Sequence, residues 1–173
     1  MSVKIKCVTE GEFKLTKSLS DVPHKMMEQA VEDYIAITKN PKYEVNMDTW
    51  FGDNLVSVAV RDYDVCNVCL AGSVLACRSN LTPQRFDVDK LLNNSAANKR
   101  LYSKLMAINS FRQGSLRVGL IKLGYTPDKI KKSGIPDNIT VCDDPNGCED
   151  NDCEENFISS MKVVSLVLKA CGF

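Results

Sequence analysis

The segment 64–77 restricts the fold more than any other part of this chain, because small and apolar residues fill it almost completely. It runs Asp-Val-Cys-Asn-Val-Cys-Leu-Ala-Gly-Ser-Val-Leu-Ala-Cys. A helix that is apolar on every side is normally buried, so the segment predicts a central, buried helix over about 66–78 that begins near Asp64. The small residues at 71–73 would give this helix a flat face for close contact with another helix.

The rest of the chain predicts an α+β fold, mainly helical, in a single domain over residues 1–173. Ser20 and Pro23 are typical of a helix start, and the helix that follows should end before Asn40-Pro41. Further helices are predicted over 87–92, 96–111, 115–123 and 126–133, with an apolar helix or strand over 157–171. Residues 43–53 are predicted to be a loop. The predicted strands are 2–8, 12–16, 55–60 and 139–142, and the small sheet would combine the N-terminal segment with 55–60 and 139–142.

Length and composition fit a globular protein. The chain has 173 residues, of which 44% are hydrophobic and 25% are charged, so it is not a disordered chain, a collagen or a coiled-coil rod. Lys+Arg and Asp+Glu both number 22. This zero net charge excludes a basic field over the whole protein as the basis for binding nucleic acid.

Charge is nevertheless uneven along the chain. Residues 98–132 hold nine Lys and Arg with a single acid, whereas residues 143–155 hold seven acids and no basic residue. Ordinary solvated surfaces explain both stretches. The alternative is that the basic 98–132 segment binds nucleic acid through its phosphates, although the segment has few aromatic residues for base stacking. We expect the acidic, cysteine-containing stretch over 143–156 to be an exposed loop.

The apolar runs of this sequence are short. They lack the uninterrupted stretch of a signal peptide and the roughly 20 apolar residues of a membrane helix, which predicts a cytoplasmic protein that does not enter the membrane. Eight cysteines are many for such a chain. In a reducing compartment they would be thiols, metal ligands or redox residues.

Two groups of cysteines are candidates for chemistry. Cys66-x-x-Cys69 lies between a predicted strand and a predicted helix, where the positive helix end would favour a thiolate. A thiol-dependent enzyme that uses Cys66 or Cys69 is therefore one alternative. Cys142, Cys148 and Cys153 supply three soft ligands from one loop, so a zinc site is a second alternative, and no cofactor is expected otherwise.

Known catalytic motifs are missing from the sequence. It holds no Walker loop, no G-x-G-x-x-G, no H-E-x-x-H and no G-x-S-x-G. His24 is the only histidine. No acid or nucleophile pattern lies near it, and we predict that it is a surface residue.

Three further motifs are distinctive. They are Tyr43-Glu-Val-Asn-Met-Asp48-Thr-Trp50, Cys69-Leu-Ala-Gly-Ser-Val-Leu-Ala76 and Asn109-Ser-Phe-Arg112-Gln-Gly114. Together they resemble a family of uncharacterised proteins from tailed bacteriophages, which carry Met-x-x-Trp, Cys-x-Ala-Gly-small-x-Leu/Met-Ala and Asn/Asp-x-x-Arg-x-Gly patterns. The resemblance covers about 43–120. It implies a small phage accessory protein and no particular reaction.

These motifs suggest Asp48, Trp50, Asn109 and Arg112 as candidate ligand- or partner-binding residues. Arg112 shares a helix face with the apolar Ile108, and a buried cation needs a carboxylate or a bound anion beside it. We expect that partner to be Asp48 if the pair is structural, and a small anionic ligand if Arg112 is a contact residue. A surface Arg112 with its head group in water is the third alternative. Trp50 is expected to lie near Arg112, at the start of the central helix.

The function predicted from these features is non-enzymatic binding. The chain would engage a host protein or a small host ligand during infection, for host takeover or anti-defence, in the cytoplasm of the infected cell. The alternatives are a thiol-dependent enzyme and a zinc- or nucleic-acid-binding module. A thiol with a lowered pKa would favour the enzyme, whereas buried and unreactive thiols at Cys66 and Cys69 would favour the binding protein.

Overall fold

The computed structural model describes residues 13–52, 65–82, 88–93, 95–147, 149 and 151–173. Over these residues the fold is α+β and mainly helical with a small three-stranded sheet, as predicted. The chain divides into two compact units. Unit 1 holds Met1–Ser18 and Glu32–Tyr102, and unit 2 holds Leu19–Val31 and Ser103–Phe173.

The helices and strands of the described residues confirm most of the predicted helices within a few residues. The predicted strands over 2–8 and 55–60 lie outside the described residues. The helices are α1 (Pro23–Thr38), α2 (Leu70–Arg78), α3 (Val88–Leu92), α4 (Ala96–Arg112), α5 (Leu116–Lys122), α6 (Pro127–Ser133) and α7 (Cys153–Ala170). The strands are β1 (Tyr43–Val45), β2 (Phe51–Gly52) and β3 (Cys66–Val68).

Local sequence signals explain why the helix predictions succeed. At α6, the Thr126 side chain accepts a hydrogen bond from the backbone N–H of Lys129, and Pro127 occupies the first turn. The helix ends at Gly134, which adopts a left-handed backbone with φ of 73°. Capping oxygen, early proline and terminal glycine are the ordinary signals of helix ends. They act locally, so they can be recognised without knowing the fold.

The sheet of unit 1 uses segments other than those predicted. Its strand order is β1-β3-β2, with β1 parallel and β2 antiparallel to β3. Residues 43–53, predicted to be a loop, therefore supply two of the three strands. Residues 139–142 form no strand, and Leu15 makes only an isolated bridge to Ser79. Strands of two or three residues are too short to show the alternation on which strand prediction depends.

The central helix of unit 1 is buried, as predicted, but it starts later. Leu70, Val74 and Leu75 are completely buried. The predicted start near residue 66 is wrong, because Cys66–Val68 pair with both neighbouring strands and Cys69 is the N-cap of α2. Cys66 and Cys69 are only 4% and 3% exposed, so the prediction that both cysteines are buried is confirmed.

Unit 2 is built from the second half of α4 with α5, α6 and α7. Its core contains completely buried aromatic and aliphatic side chains, among them Phe111, Phe157 and Met161. The apolar segment predicted as helix or strand over 157–171 is the helix α7, which begins at Cys153 and so shortens the predicted acidic loop. Within the described part of the chain, no helix combines the length and apolar composition that crossing a membrane would require.

Candidate functional site

The four candidate residues lie in two different units. Asp48 and Trp50 belong to unit 1, and Asn109 and Arg112 belong to unit 2. The predicted ion pair between Arg112 and Asp48, and the predicted proximity of Trp50 to Arg112, would join the two units and stay predictions. The contacts within each unit show what each residue does locally.

In unit 1, Trp50 packs against aromatic and backbone groups. Its ring stacks on Tyr102 with a centroid distance of 6.3 Å and an interplanar angle of 7°. The Tyr102 hydroxyl donates to Asp89 Oδ1 at 2.5 Å, and this hydrogen bond raises the pKa of Tyr102. Asp48 is exposed, and its backbone N–H bonds to the Asn46 side chain at 2.9 Å in a local turn. Trp50 is thus fixed in place, whereas the Asp48 carboxylate is open to solvent.

The motif around Gly72 is explained by close backbone packing. A Cβ atom at Gly72 would lie 1.8 Å from the carbonyl oxygen of Trp50, so no other residue fits without a shift. At Gly72, the flat face predicted for helix contact therefore receives the Trp50 backbone. The Met-x-x-Trp and Cys-x-Ala-Gly patterns describe two segments that pack directly on each other.

The motif around Gly114 has the same kind of explanation in unit 2. Gly114 has a φ of 79°, and a Cβ there would lie 2.1 Å from the carbonyl oxygen of Ile139. The backbone N–H of Ile139 donates to the Gly114 carbonyl at 3.0 Å. This contact brings the segment that follows Ile139 alongside the end of α4, where Asn109 and Arg112 lie.

Arg112 is a buried cation that donates to a backbone carbonyl of its own unit. Its residue is only 8% exposed, and Nη1 donates to the backbone oxygen of Asp143 at 2.6 Å. This burial contradicts the alternative of a head group in water. Among the described residues of unit 2, no carboxylate forms an ion pair with the guanidinium. The positive charge of Arg112 is therefore not balanced within the described part of its own unit.

Two buried polar atoms lie one helical turn apart at this place. Arg112 Nε and Asn109 Oδ1 are buried and have no hydrogen-bond partner among the described residues. Buried side-chain polar atoms are nearly always hydrogen-bonded. The two residues that the sequence marked as candidates in unit 2 are thus the two described residues with an unsatisfied buried donor or acceptor.

A cavity of about 600 Å³ lies beside this site in unit 2. Residues 140–144 form one wall, and α7 forms another through residues that include Ser160 and Val163. Asp143 belongs to this lining, and its carbonyl is the acceptor for Arg112. Ser160 Oγ accepts a hydrogen bond from the backbone N–H of Cys142 at 2.9 Å, which joins the two walls. Sequence reasoning missed this cavity, because its polar residues show no spacing that would mark them.

The cysteines of the predicted zinc site are in different chemical states. Cys142 is a thiol, Cys153 is part of a disulfide, and Cys148 lies outside the described residues. Among the described residues, no three His, Cys, Asp or Glu side chains cluster as metal ligands would. A disulfide sulfur is not a thiolate ligand, so the zinc site stays a prediction that requires Cys153 to be reduced first.

The Cys66-x-x-Cys69 motif is built into the core of unit 1. Cys69 Sγ accepts a hydrogen bond from the backbone N–H of Gly72 at 3.4 Å, as a helix cap does. Cys77, at the end of the same helix, is half-buried, and burial raises its pKa to about 11. A raised pKa lowers the thiolate fraction and hence the reactivity of a thiol.

His24 also has a structural contact. Its Nδ1 lies 2.9 Å from the carbonyl oxygen of Phe173, and its own carbonyl accepts a hydrogen bond from Ser165 Oγ at 2.9 Å. The half-buried ring therefore differs from the predicted surface residue. It links the start of α1 to the end of α7 within unit 2.

Three of the nine basic side chains over 98–132 make the following contacts within unit 2. Lys104 pairs with Asp21 at 2.8 Å, and Arg117 pairs with Asp137 at 3.0 Å. Lys122 Nζ donates to Ser110 Oγ at 2.7 Å. These contacts leave fewer cations for phosphate than the sequence count suggested.

Comparisons of the chain with protein-family models, with curated proteins and with solved structures find no match. The resemblance to tailed-phage proteins therefore stays a prediction from the three sequence motifs. What the site can do follows from its own geometry, which is a buried cation and a neighbouring amide, joined through Asp143 to the lining of a cavity.

Proposed function

We propose that this chain is a non-enzymatic binding protein, a small phage accessory factor that engages a host protein or a small host ligand in the cytoplasm of the infected cell. Asn109 and Arg112 are its contact residues. They take an anionic group, either on a small ligand or on an acidic side chain or chain end of a partner. The role in infection would be host takeover or anti-defence.

The proposal rests on the burial of the Arg112 charge, which no carboxylate balances in the described part of its own unit. A guanidinium that leaves water without a carboxylate costs free energy that a bound anion can offset. Arginine is suited to carboxylate and phosphate because its planar donors match two oxygens at once. With Nη1 already bonded to Asp143, the unsatisfied Nε is the donor that such a ligand would use.

Asn109 adds a second requirement to the ligand. An amide presents both an acceptor oxygen and donor hydrogens, and Asn109 Oδ1 is the unsatisfied atom here. A ligand that carries an O–H or N–H next to its anionic oxygen would satisfy Asn109 and Arg112 together. Hydroxy acids and phosphate monoanions have this combination.

The cysteine contacts support binding over thiol catalysis. Cys66 and Cys69 are buried in unit 1, and Cys69 acts as a helix cap. Catalytic cysteines are usually partly exposed in an electropositive setting that lowers the pKa of the thiol. From the sequence, we expected buried thiols at Cys66 and Cys69 in a binding protein, and both thiols are buried.

Titration calorimetry with citrate and with inorganic phosphate tests the site directly. We expect at least one of these probes to bind the wild-type chain, and Arg112→Lys to weaken binding by about tenfold or more, because lysine lacks the planar donors. Asn109→Ala should weaken binding as well. Lys131→Ala removes an exposed cation from α6 and should leave the affinity unchanged.

Capture of partners from infected-cell lysate, followed by native mass spectrometry, tests the same site with natural ligands. Wild-type chain should retain a ligand or partner that the Arg112→Lys variant loses while keeping its circular dichroism spectrum. Unchanged capture by Arg112→Lys, or no binding of either probe or any partner by the wild type, would contradict the proposal.

A further inference from the structure

The cavity of unit 2 is a groove between a stretch of main chain and a helix. Residues 140–144 line one side, and α7 lines the other through positions 156, 159, 160 and 163. Residues three and four apart lie on one face of a helix, so α7 presents a single stripe to the groove. The groove is open to solvent, because Thr140, Ser159 and Val163 in its lining are exposed.

The main-chain side of the groove is straight and is anchored at two points. Residues 139–144 run without helix, turn or bend. The N–H of Ile139 donates to the Gly114 carbonyl at 3.0 Å, and the N–H of Cys142 donates to Ser160 Oγ at 2.9 Å. These two hydrogen bonds hold the segment in place beside α4 and α7.

Between the two anchors, the main chain has unused hydrogen-bonding groups. The N–H and C=O groups of Thr140 and Val141 form no hydrogen bond with any described residue. Both residues line the groove, and Thr140 is exposed. Unpaired main chain of this kind is the template to which an extended peptide adds as a further strand.

The charge of the lining selects a basic occupant. Asp143 and Asp144 both line the groove, and no Lys, Arg or His belongs to the lining that the structure describes. Neither carboxylate forms an ion pair with a described residue. Opposite charges across an interface favour the encounter and fix the register of a bound segment.

The groove also has an aliphatic side. Val141 and Val163 belong to the lining, and Val163 is 48% exposed. Successive side chains of a strand point to opposite faces, so an added strand would present one set of side chains to these valines and keep the other set for the carboxylates.

We propose that this groove binds an extended segment of a partner protein that alternates basic and aliphatic residues and adds to residues 139–142 as a strand. Arg112 is outside the groove lining. The proposal therefore does not depend on an anion at Arg112, and it goes beyond the proposed function by naming a second surface and the kind of segment that it takes.

Fluorescence anisotropy with the full-length chain and a labelled, end-capped peptide of alternating Lys and Val tests the groove. We expect saturable binding that weakens as salt is added, because salt screens exposed charges. The same peptide methylated on alternate main-chain nitrogens keeps its charge but loses its N–H donors. It should bind about tenfold more weakly, since several hydrogen bonds are lost together. A peptide of alternating Glu and Val should not bind.

Matched variants make the result specific to the groove. Val163→Lys places a cation in the lining and should weaken binding of the Lys-Val peptide by about tenfold or more, and Ser159→Lys repeats the test at a second exposed position of the lining. Leu166→Lys is the control, because Leu166 is 63% exposed on the same helix and lies outside the lining. It should bind as the wild type does.

Charge removal gives a second comparison. Asp143→Asn keeps the backbone carbonyl and removes the carboxylate, and it should weaken binding by about two- to fivefold. Asp128→Asn removes an exposed acid from α6, outside the lining, and should leave the affinity unchanged. Circular dichroism checks that each variant keeps its fold.

Three results would overturn the groove as a site for a basic strand. The first is no saturable binding of the Lys-Val peptide in a titration that reaches about 1 mM chain. The second is equal affinity for the methylated and unmethylated peptides, or equal losses in Val163→Lys and Leu166→Lys. The third is binding of spermidine as tight as that of the peptide, which would make the occupant a small cation.

This proposal and the proposed function can fail separately. If the wild-type chain binds the Lys-Val peptide but neither citrate nor phosphate, the groove stands and the anion site is contradicted. If citrate or phosphate binds and the peptide does not, the anion site stands and the groove proposal is wrong.

Discussion

At the residue scale, a buried ion pair between Arg78 and Asp33 is a contact that sequence reasoning did not identify. Arg78 Nε and Nη2 donate to the two carboxylate oxygens of Asp33 at 2.7 and 3.2 Å, and Nη1 donates to the Ser18 carbonyl at 2.9 Å. Burial raises the pKa of Asp33 above its usual value, and the Arg78 contacts offset part of this rise. The pair is 45 positions apart in the chain, so only the fold could reveal it.

Replacing Arg78 should show how far the stability of the fold depends on this ion pair. Arg78→Met leaves an uncompensated buried carboxylate, and we expect it to lower the free energy of unfolding by about 3–5 kcal/mol at neutral pH. Without Arg78 the pKa of Asp33 rises further, so protonation removes the charge as the pH falls. The decrease in the free energy of unfolding caused by Arg78→Met should therefore become smaller as the pH falls through the raised pKa of Asp33. It should return as the pH rises through that pKa.

Urea unfolding at a series of pH values measures this effect. The double variant Asp33→Leu/Arg78→Met serves as the control, because it replaces both charges with apolar groups and should recover most of the stability. A loss in Arg78→Met that is the same at every pH would contradict the role given to the Asp33 charge.

Gly72 provides a second test at the residue scale. Gly72→Ala would place a methyl group against the Trp50 carbonyl, and overpacking of this kind costs about 1–3 kcal/mol or more. Gly124→Ala is the comparison, because nothing lies within 4 Å there and the cost comes only from a φ of 92°, at about 1 kcal/mol. Thermal melting should show the larger loss for Gly72→Ala, and equal losses would contradict the close packing.

At the element scale, α2 depends on an unusual N-cap. The Cys69 sulfur accepts the hydrogen bond from Gly72 that a serine or aspartate usually accepts. We expect Cys69→Ala to lower the free energy of unfolding by about 1 kcal/mol and Cys69→Ser to preserve it, because a hydroxyl caps as well. Chemical denaturation measures both.

The Cys69→Ser variant also distinguishes a binding protein from a thiol-dependent enzyme. Cys69→Ser removes the thiol and keeps the cap, so a binding protein should retain its ligand affinity. A thiol-dependent enzyme that uses Cys69 would lose its activity. Retained binding with unchanged stability is the result that we expect.

At the scale of the whole molecule, charge balance opposes strong binding of nucleic acid. Net charge is zero, and Lys104, Arg117 and Lys122 of the basic segment are engaged inside unit 2. We expect no retention on heparin and no DNA binding in a filter assay at physiological salt. A tight complex whose affinity falls steeply with salt, as phosphate contacts require, would favour the nucleic-acid alternative instead.

The sequence alone determined the features that arise from neighbouring residues. Caps, prolines and glycines located α1, α5 and α6, because these signals act within one helical turn. The apolar composition of 64–77 indicated a buried helix, and α2 is buried as expected. The motif at 109–114 also marked two residues that carry unsatisfied buried atoms.

Tertiary structure alone decided which distant segments meet. The sheet of β1, β2 and β3 combines strands of two or three residues, which are stabilised by partners elsewhere in the chain. The Arg112 contact to Asp143 and the Cys142 neighbourhood of Cys153 likewise join segments 31 and 11 positions apart. Local patterns report the conformation of a few consecutive residues, whereas such contacts depend on how the whole chain packs, and packing is a property that no single segment encodes.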